Sequence, residues 1–420
     1  MATQRASDDL PAIGGADDLM RVLTYDKNVE HEAEIDPGFV WMTDATLSIV
    51  ILGATGDLAS KKTFPALLNL FSEGLIPRET IIYGYGRSNL SEEAFRELIR
   101  PNLLKRAHNQ VTVDRFLNRV FYHVTPDFGS IQPMEEMMEK IEEFENSVTN
   151  KPIHHRLFYL AIPPDVYTYA ALAIQATGLH DTGCKEGDKD FKGFCRIILE
   201  KPLGHDLPSF QKLNSKLNKH FTEDQMFRID HFLGKEMVQN LAVLRFSNRW
   251  LEKVWNRDNV QCVIITKKDP RDITNRGDYF DRYGIIRDII QNHLFQILCL
   301  VAMEAPQVLD GPESAKAIRD AKMAVLNAIT EISPDDVLTG QYEGYLEDPS
   351  VTNKESTTPT FAAMRIFINT PRWEGVPFVL KTGKAMDSDK AEIRIQFKDA
   401  KGARTMFSEG EIAPRNEFGT

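Results

Sequence analysis

The sequence predicts an α/β doubly wound domain, followed by an α+β domain with a large, mostly antiparallel sheet. Two observations support the first domain. A short apolar run at 47–52 leads into a glycine-rich turn, and strand-like and helix-like segments then alternate as far as residue 200. A third observation supports the second domain: beyond residue 201 helical segments come first, and strand-like runs joined by short turns dominate 360–398.

The first domain is predicted from short β-rich runs, with a helical pattern after each of the first four. The predicted strands are 47–52, 80–85, 119–124, 155–162 and 196–200. The predicted helices are 61–74, 91–107, 134–145 and 165–177. This alternation is typical of a parallel sheet with helices on both faces.

The second domain is predicted from helices at 206–221, 235–243, 284–303 and 314–328 and strands at 260–267, 360–369, 377–382 and 391–398. The patterns divide the chain into an acidic extension at 1–44, a doubly wound domain at 45–204 and an α+β domain at 205–420. The extension is polar and expected to be mobile. The charged insertion at 181–193 is expected to be a surface loop.

Composition excludes several function classes. A net charge of −11 argues against a general nucleic-acid binder. The four cysteines form no CxxC pair and no cluster with zinc spacing, so no metal site is predicted. The most apolar run, 284–303, carries charged residues, which indicates a buried helix with a functional face rather than a membrane span. The acidic N-terminus lacks the apolar core of a secretory signal, so a cytoplasmic location is expected.

The segment Gly53–Ala59 (GATGDLA) follows a strand and precedes a helix. Glycine permits a tight turn and a close approach of the backbone to a pyrophosphate, and a helix N-terminus favours anions. Small Ala59 would let the helix pack close to the strand. The GxxGxxA spacing departs by one residue from GxGxxG, so a purely structural turn stays an alternative.

The second predicted strand ends in Tyr85-Gly86-Arg87-Ser88. An NAD-dependent enzyme usually has Asp or Glu at this position, where it binds the ribose 2′-hydroxyl. Arg87 could instead pair with a 2′-phosphate, which favours NADP over NAD. An exposed arginine without a ligand is the alternative.

A second cluster of polar residues begins where the fifth strand ends, at Glu200-Lys201-Pro202. Ligands of such sheets lie at the carboxyl ends of strands, which would place Lys201 between cofactor and substrate, and the X-Pro bond could be cis. Lys235 would fall in the first turn of a helix, where a cation is disfavoured unless an anion binds. Asp230 could hold His293 in one tautomer, the usual arrangement for a general base. A surface lysine and a core histidine are the alternatives.

Taken together, these motifs resemble the glucose-6-phosphate dehydrogenase family, from about residue 47 to 400. The matching segments are GATGDLA, YGRS, RLFYLAIPP, EKPLG, RIDHFLGKEMVQNLAVLRFSNR, WNRDN, GIIRDIIQNHLFQILCLVAME and RWEGVPFVLKTGKA. The resemblance implies a Rossmann-type first domain and the oxidation of glucose 6-phosphate to 6-phosphoglucono-1,5-lactone with reduction of NADP⁺, the first step of the oxidative pentose phosphate pathway. It implies no metal.

The resemblance also implies roles for individual residues. His293 would take the proton from the C1 hydroxyl, and Asp230 would orient His293 and stabilise its cationic form. The substrate would be held by Lys201, His231, Lys235, Asp269, Asp288 and Lys384. The NADP site would be lined by Gly53, Thr55, Gly56, Asp57, Leu58, Arg87, Pro163, Tyr167 and Lys201.

The sequence departs from the family pattern at three positions in the expected substrate site. Position 232 is Phe instead of Tyr, which removes a hydroxyl expected at the sugar phosphate, at a cost of about 1.5–3 kcal/mol of binding. Position 269 is Asp instead of Glu, and position 389 is Asp instead of a basic residue. Weaker substrate binding with an intact mechanism is expected.

The chain ends at Thr420, where the family continues through further strands, so a truncated second domain with an open sheet edge is expected. A homodimer or dimer of dimers is expected only if the remaining part is present. Two alternatives to the enzyme remain open. One is another Rossmann sugar dehydrogenase, and the other is a weakly active or inactive paralogue that acts as a binding partner.

Overall fold

The computed structural model describes residues 45–107, 109–148, 153–177, 193–309, 313–399, 402 and 416–419. The predicted N-terminal extension at 1–44 and most of the predicted loop at 181–193 lie outside these residues.

The first half of the chain forms a six-stranded parallel sheet in the order β3-β2-β1-β4-β5-β6. Its strands are β1 (Ala45–Leu52), β2 (Thr80–Gly86), β3 (Val120–Val124), β4 (Ile153–Leu160), β5 (Cys195–Leu199) and β6 (Met226–Arg228). The accompanying helices are α1 (Phe64–Ser72), α2 (Glu92–Leu104), α3 (Gln110–Leu117), α4 (Ile131–Ser147), α5 (Tyr167–Ala176) and α6 (Leu207–Leu217). The doubly wound prediction is confirmed.

The central position of β1 follows from its sequence. All eight residues of β1 are buried, and its apolar side chains divide between two hydrophobic clusters, one on each face of the sheet. A strand with both faces covered needs a continuous apolar run rather than an alternating one, and Leu47–Leu52 supplies it apart from Ser48. The carboxyl end of β1 therefore lies in the middle of the sheet edge, where the glycine-rich turn emerges.

The second half forms a six-stranded sheet in the order β12-β11-β7-β10-β9-β8. Its strands are β7 (Val260–Lys268), β8 (Val337–Gly340), β9 (Phe361–Ile366), β10 (Phe378–Gly383), β11 (Lys390–Phe397) and β12 (Glu417–Gly419). Only the β7–β10 pair is parallel among the described strands of this sheet, which confirms the mostly antiparallel prediction. Its helices are α7 (Glu236–Ser247), α8 (Arg249–Val254), α9 (Gly277–Ile285), α10 (Phe295–Ala302) and α11 (Ser314–Asn327).

The helical run Gly277–Ala302, which is interrupted at Gly284, covers one face of the second sheet. It bends at Gly284, whose φ is 66°, and the segment Ile286–Leu294 between α9 and α10 is a π-helix. By length and composition this run could cross a membrane, but 56% of its most apolar window is buried inside the protein, as in a core helix. The sequence prediction of a buried helix at this position agrees with that burial.

Three side chains from other elements satisfy the carbonyl groups at the end of α10. Arg245 donates to the carbonyls of Leu300 and Met303. Trp255 Nε1 donates to Val301 O at 2.9 Å, and Trp373 Nε1 donates to Ala302 O at 2.8 Å. A helix leaves its last carbonyls without intrahelical partners, so these buried donors fix the position of α10 within the core.

The sequence patterns missed several elements. The helices α3, α8 and α9 and the short strands β6 and β8 were not predicted, and the π-helical segments Ala59–Thr63 and Ile286–Leu294 were not distinguished from α-helix. β6 extends the first sheet as far as Arg228, beyond the predicted boundary at 204. A three-residue strand carries too little periodicity to be recognised. The division at 204 stays a prediction.

Candidate active site

The glycine-rich turn lies directly after β1. Gly53 has a φ of 81°, and its N–H donates to Tyr85 O at 2.8 Å, so the turn is tied to the end of β2. A β-carbon at Gly53 would lie 2.3 Å from the carbonyl oxygen of Ala161, at the end of β4. Both the left-handed backbone and this close approach require glycine. Ala59 is fully buried, as expected for close packing of helix against strand.

The outer surface of the turn faces solvent. Gly56, Asp57 and Leu58 are exposed, and Asp57 pairs with Lys61 one turn along the helix at 2.9 Å. Thr55 Oγ1 lies 3.2 Å from Ser88 Oγ, which joins the turn to the loop after β2. These predicted cofactor residues are therefore accessible to a phosphate group at a helix N-terminus.

Arg87 lies beside the turn, in the loop that follows β2. Its guanidinium is 5.7 Å from the centre of the Phe128 ring, and the residue is exposed. The buried Phe128 ring helps to position this guanidinium, which offers a positive charge for a phosphate. Phe128 was not recognised from the sequence, because it belongs to no glycine or charge motif.

The end of β5 places Lys201 in the cleft. The Lys201–Pro202 peptide bond is cis, as considered from the sequence. Lys201 Nζ donates to Asp288 Oδ1 at 2.8 Å and to Asp288 O at 3.0 Å. This ion pair joins the first domain to the helical run of the second. Both residues were predicted to bind substrate, and the structure brings them together.

The residue before Lys201 anchors this strand end. Glu200 accepts a hydrogen bond from the hydroxyl of Tyr159, and its carbonyl accepts one from Tyr167 Oη at 3.0 Å. Tyr167 is fully buried, and burial raises the pKa of its hydroxyl. Tyr167 was predicted to line the cofactor site. In this structure it has no exposed surface and supports the strand end, and its role at the cofactor stays a prediction. Pro163 is exposed at the end of β4, so it stays available as predicted.

His293 and Asp230 form a buried pair. His293 Nδ1 lies 2.6 Å from Asp230 Oδ1, and the two side chains are 1% and 13% exposed. The N–H of Phe232 donates to the same oxygen at 2.9 Å. Burial alone would raise the pKa of Asp230, but the hydrogen bond and charge of His293 and the Phe232 N–H lower it below its ordinary value. Asp230 therefore stays ionised and accepts a hydrogen bond from Nδ1 of His293. This arrangement leaves Nε2 of His293 available to accept a proton.

The π-helix brings Asp288 and His293 to the same region. Backbone hydrogen bonds in a π-helix join residues five apart, which is the separation of these two residues. Asn292 Nδ2 donates to Arg287 O at 2.7 Å, so a side chain also satisfies a carbonyl in this wider turn. Such segments are frequent at functional sites. In a regular α-helix the two side chains would point in clearly different directions.

The rings of His231 and Phe232 pack around His293. The Phe232 ring is stacked on the imidazole at 4.2 Å, and the His231 ring meets it edge-on at 4.5 Å. Burial of His231, the effect of any proton on His293 and the ammonium groups of Lys201 and Lys235 together lower the pKa of His231 to about 4. His231 is thus neutral at pH 7 in this state. The sequence did not predict the aromatic contact of Phe232.

Lys235 is the N-cap of α7, with its ammonium 4.8 Å from the centre of the Phe232 ring. The expected conflict between this cation and the positive end of the helix is therefore present. An anion bound between His231 and Lys235 would relieve it. The structure supports the predicted position of these two residues, while their role stays a prediction.

Asp269 and Lys384 occupy the ends of two neighbouring strands of the second sheet. Lys384 Nζ lies 2.7 Å from Asp269 Oδ2, and Arg271 Nε lies 3.0 Å from Asp269 Oδ1. Burial alone would raise the pKa of Asp269, but hydrogen bonds from Arg271 and Lys384 lower it well below its ordinary range. Asp269 is buried and ionised, with Lys384 as its partner.

Asp389, the residue with reversed charge, forms an ion pair with Lys267 at the end of β7. That ion pair lowers the pKa of Asp389, and Asp269 opposes the shift. Lys267 was not recognised from the sequence, since it belongs to none of the matching motifs. Among the described residues, no group of three or more His, Cys, Asp or Glu side chains could hold a metal ion.

Comparisons with known proteins cover most of the chain. The family model described as the NAD-binding domain of glucose-6-phosphate dehydrogenase matches residues 50–240, and that of the C-terminal domain of glucose-6-phosphate dehydrogenase matches residues 242–418. The chain is 48% identical over 360 residues to glucose-6-phosphate 1-dehydrogenase 6, cytoplasmic, of Arabidopsis thaliana. This alignment covers 85% of the chain and 67% of the relative. Cytoplasmic and chloroplastic forms from Solanum tuberosum are also similar.

Two solved structures are similar over nearly the whole chain. A glucose-6-phosphate dehydrogenase in complex with its substrate glucose-6-phosphate has a TM-score of 0.78 and 41% identity, covering 90% of this chain and 75% of that one. Glucose-6-phosphate 1-dehydrogenase from Mycobacterium avium has a TM-score of 0.74 and 33% identity, covering 89% and 77%.

Proposed function

This chain belongs to the glucose-6-phosphate dehydrogenase family, and on that premise we propose that it oxidises glucose 6-phosphate to 6-phosphoglucono-1,5-lactone and reduces NADP⁺. The observation that carries the proposal is the buried His293–Asp230 pair, at 2.6 Å, surrounded by Lys201, His231 and Lys235. A base beside three groups that can bind an anion fits the oxidation of a phosphorylated alcohol.

The role of His293 follows from its contacts. With Nδ1 held by Asp230, Nε2 of His293 accepts the proton of the C1 hydroxyl, and Asp230 stabilises the resulting imidazolium. Lys201, whose ammonium lies 2.8 Å from Asp288 Oδ1, would donate to the substrate. Bound NADP⁺ supplies the acceptor for the hydride from C1. No metal is needed for an alcohol oxidation of this kind.

Substrate binding would use charge far from the reacting carbon. His231 and Lys235 hold the phosphate, while Asp269, Asp288 and Lys384 contact the sugar. Asp288 and Asp269 pair with Lys201 and Lys384 at 2.8 and 2.7 Å. Their positions are thus set before the substrate arrives, which spares the cost of ordering them.

NADP would be held by the turn after β1 and by Arg87. The exposed residues Gly56 to Leu58 lie at the start of a helix, and Gly53 lets the chain pass close to β4. Arg87, held beside the buried Phe128 ring, supplies a cation for the 2′-phosphate of NADP. These groups fit a phosphorylated dinucleotide.

The decisive experiment measures NADPH formation by purified protein with glucose 6-phosphate and with glucose. We expect a strong preference for the phosphorylated sugar. His293→Asn should lower kcat by about 10²–10⁴, the range for a lost general base. The matched variant His231→Asn should raise KM for glucose 6-phosphate and largely preserve kcat.

Three results would contradict the proposal. A preference for glucose would favour another sugar dehydrogenase. Equal turnover by wild type and His293→Asn would show that His293 is not the general base. Binding of glucose 6-phosphate without turnover would favour an inactive paralogue.

We further propose that the protein is cytoplasmic, as expected from its N-terminal sequence. We also propose that it forms a homodimer, which was expected from the resemblance if the remaining part of the second domain is present. The outer face of the second sheet, on the side away from the helical run, carries partly exposed Cys262, Ile264, Val379 and Gln396, which leaves it accessible to a second copy. Sedimentation at several protein concentrations tests the association, and cell fractionation tests the location.

A further inference from the structure

We propose that Lys267 is a substrate-binding residue of this enzyme, which supplies the positive charge that the family places at position 389. This inference rests on the proposed function, since it concerns recognition of the same anionic sugar phosphate. It starts from the reversed charge at position 389 and from the ion pair that Asp389 forms with Lys267.

Strand alternation places Lys267 on the face of the sheet that carries the site. Val263 and Ile265 precede it on β7 at alternate positions, and both are completely buried in the core. Lys267 is the next residue on that face. Its direct neighbours are Thr382 on β10 and Ala391 on β11. The π-helix with His293 packs against β7 and β10 on this same face.

The charged groups continue this face where the apolar core ends. Asp269 is two residues beyond Lys267, and Lys384 is two residues beyond Thr382. Asp269 and Lys384 contact each other at 2.7 Å and are predicted to bind the sugar. Asp389 lies close enough to Asp269 for the two carboxylates to repel each other. The Lys267–Asp389 pair therefore borders the sugar-binding residues.

The two members of this pair differ in exposure. The Lys267 side chain is 14% exposed, and that of Asp389 is 64% exposed. The lysine is therefore fixed by surrounding atoms, while the carboxylate can turn into solvent. When a dianionic substrate arrives, Asp389 can move away and Lys267 can interact with the anion. In this way Lys267 on β7 provides the positive charge that is missing at position 389.

The chain offers a matched control next to Lys267. Lys268 also forms an ion pair with an aspartate, Asp387, at 3.0 Å, and its side chain is 20% exposed. As the following residue on the strand, Lys268 points to the opposite face of the sheet. Lys268→Met removes the same charge and the same type of pair, but not from the face that carries the site.

The test is a set of four variants: Lys267→Met, Lys268→Met, Asp389→Asn and the double variant Lys267→Met/Asp389→Arg. Steady-state kinetics give KM for glucose 6-phosphate and for NADP⁺. Calorimetry gives the dissociation constant of glucose 6-phosphate without any turnover. Circular dichroism confirms that each variant is folded.

We expect Lys267→Met to raise KM and Kd for glucose 6-phosphate by about 10- to 100-fold, the effect of losing one charge-assisted interaction. KM for NADP⁺ should stay within about two-fold, as should both constants in Lys268→Met. Asp389→Asn should lower KM by about 2- to 5-fold, because an exposed competing charge is removed. The double variant should recover most of the lost affinity.

The inference is overturned if Lys267→Met and Lys268→Met behave alike, or if Lys267→Met weakens both substrates equally. It is also overturned if Asp389→Arg fails to restore binding in a folded double variant. Failure of the proposed function is distinguishable: wild-type protein would bind glucose 6-phosphate in calorimetry but produce no NADPH, or would not bind it at all.

Discussion

Gly53 offers the sharpest test of how the turn after β1 is built. Its φ is 81°, and an added β-carbon would lie 2.3 Å from Ala161 O and 3.0 Å from Ala161 C. Gly53→Ala thus has two separate costs. The left-handed backbone costs about 1–2 kcal/mol for a residue with a side chain. The contact with a backbone carbonyl, which cannot move aside alone, adds about 1–3 kcal/mol as overpacking.

Gly375 separates these two costs. Its φ is 80°, almost the same as that of Gly53, but no heavy atom lies within 4 Å of an added β-carbon. Gly375→Ala should therefore cost only the backbone part, about 1–2 kcal/mol. Gly53→Ala should cost about 2–5 kcal/mol in total. Urea unfolding followed by circular dichroism measures both values.

Cofactor affinity gives a second measurement on the same pair of variants. If the turn shifts to relieve the contact, its N–H groups leave the position in which they meet a phosphate. We expect Kd for NADP⁺ to rise by about 10-fold or more in Gly53→Ala, as for the loss of one hydrogen bond to a charged group. Gly375→Ala should bind NADP⁺ normally. Equal loss of stability in the two variants, or unchanged NADP⁺ binding by Gly53→Ala, would refute this account of the turn.

Two further predictions concern charge. Arg87→Ala should weaken NADP⁺ binding by about 10- to 100-fold and NAD⁺ binding far less, because only NADP⁺ carries the 2′-phosphate; equal losses in calorimetry would exclude that contact. Asp230→Asn should be less stable than wild type at pH 7. The folded-state pKa of Asp230 is lowered, so its ionised form stabilises the protein above the ordinary value of 3.8 and this contribution is lost as the pH falls through the folded-state pKa. Urea unfolding between pH 7 and pH 3 should show that the difference in unfolding free energy between wild type and Asp230→Asn disappears only below about pH 4. A difference that disappears near neutral pH would contradict this role of Asp230.

Much of the fold could be predicted because periodicity and burial coincide in it. The run at 47–52 is apolar throughout because β1 is covered on both faces, and the helix at 284–303 is apolar because it covers the second sheet. β6 and β8 have three and four residues, too few to show a pattern. The π-helical turn at Ile286–Leu294 changes the register by a residue, which hydrophobic spacing does not reveal.

The site was predictable only in part. Residues in motifs, such as Asp230 and His293, were identified and are in direct contact. Phe232 was noted only for its missing hydroxyl, whereas its ring stacks on the imidazole. Lys267 was overlooked, because its significance depends on a neighbouring strand and on a residue more than one hundred positions away. Contacts between distant strands need the sheet register, which the sequence does not supply.

The indole contacts at the end of α10 provide a fluorescence signal for the second domain. Trp250, Trp255 and Trp373 all belong to the second half of the chain, and the last two are buried with their Nε1 atoms bonded to carbonyls. The first sheet and its described helices contain no tryptophan. The remaining tryptophan, Trp41, precedes the first sheet in the sequence. In a Trp41→Phe variant, intrinsic fluorescence therefore reports on the second half of the chain, while far-UV ellipticity reports on both halves. The two signals together can reveal whether the halves unfold in one step or in two.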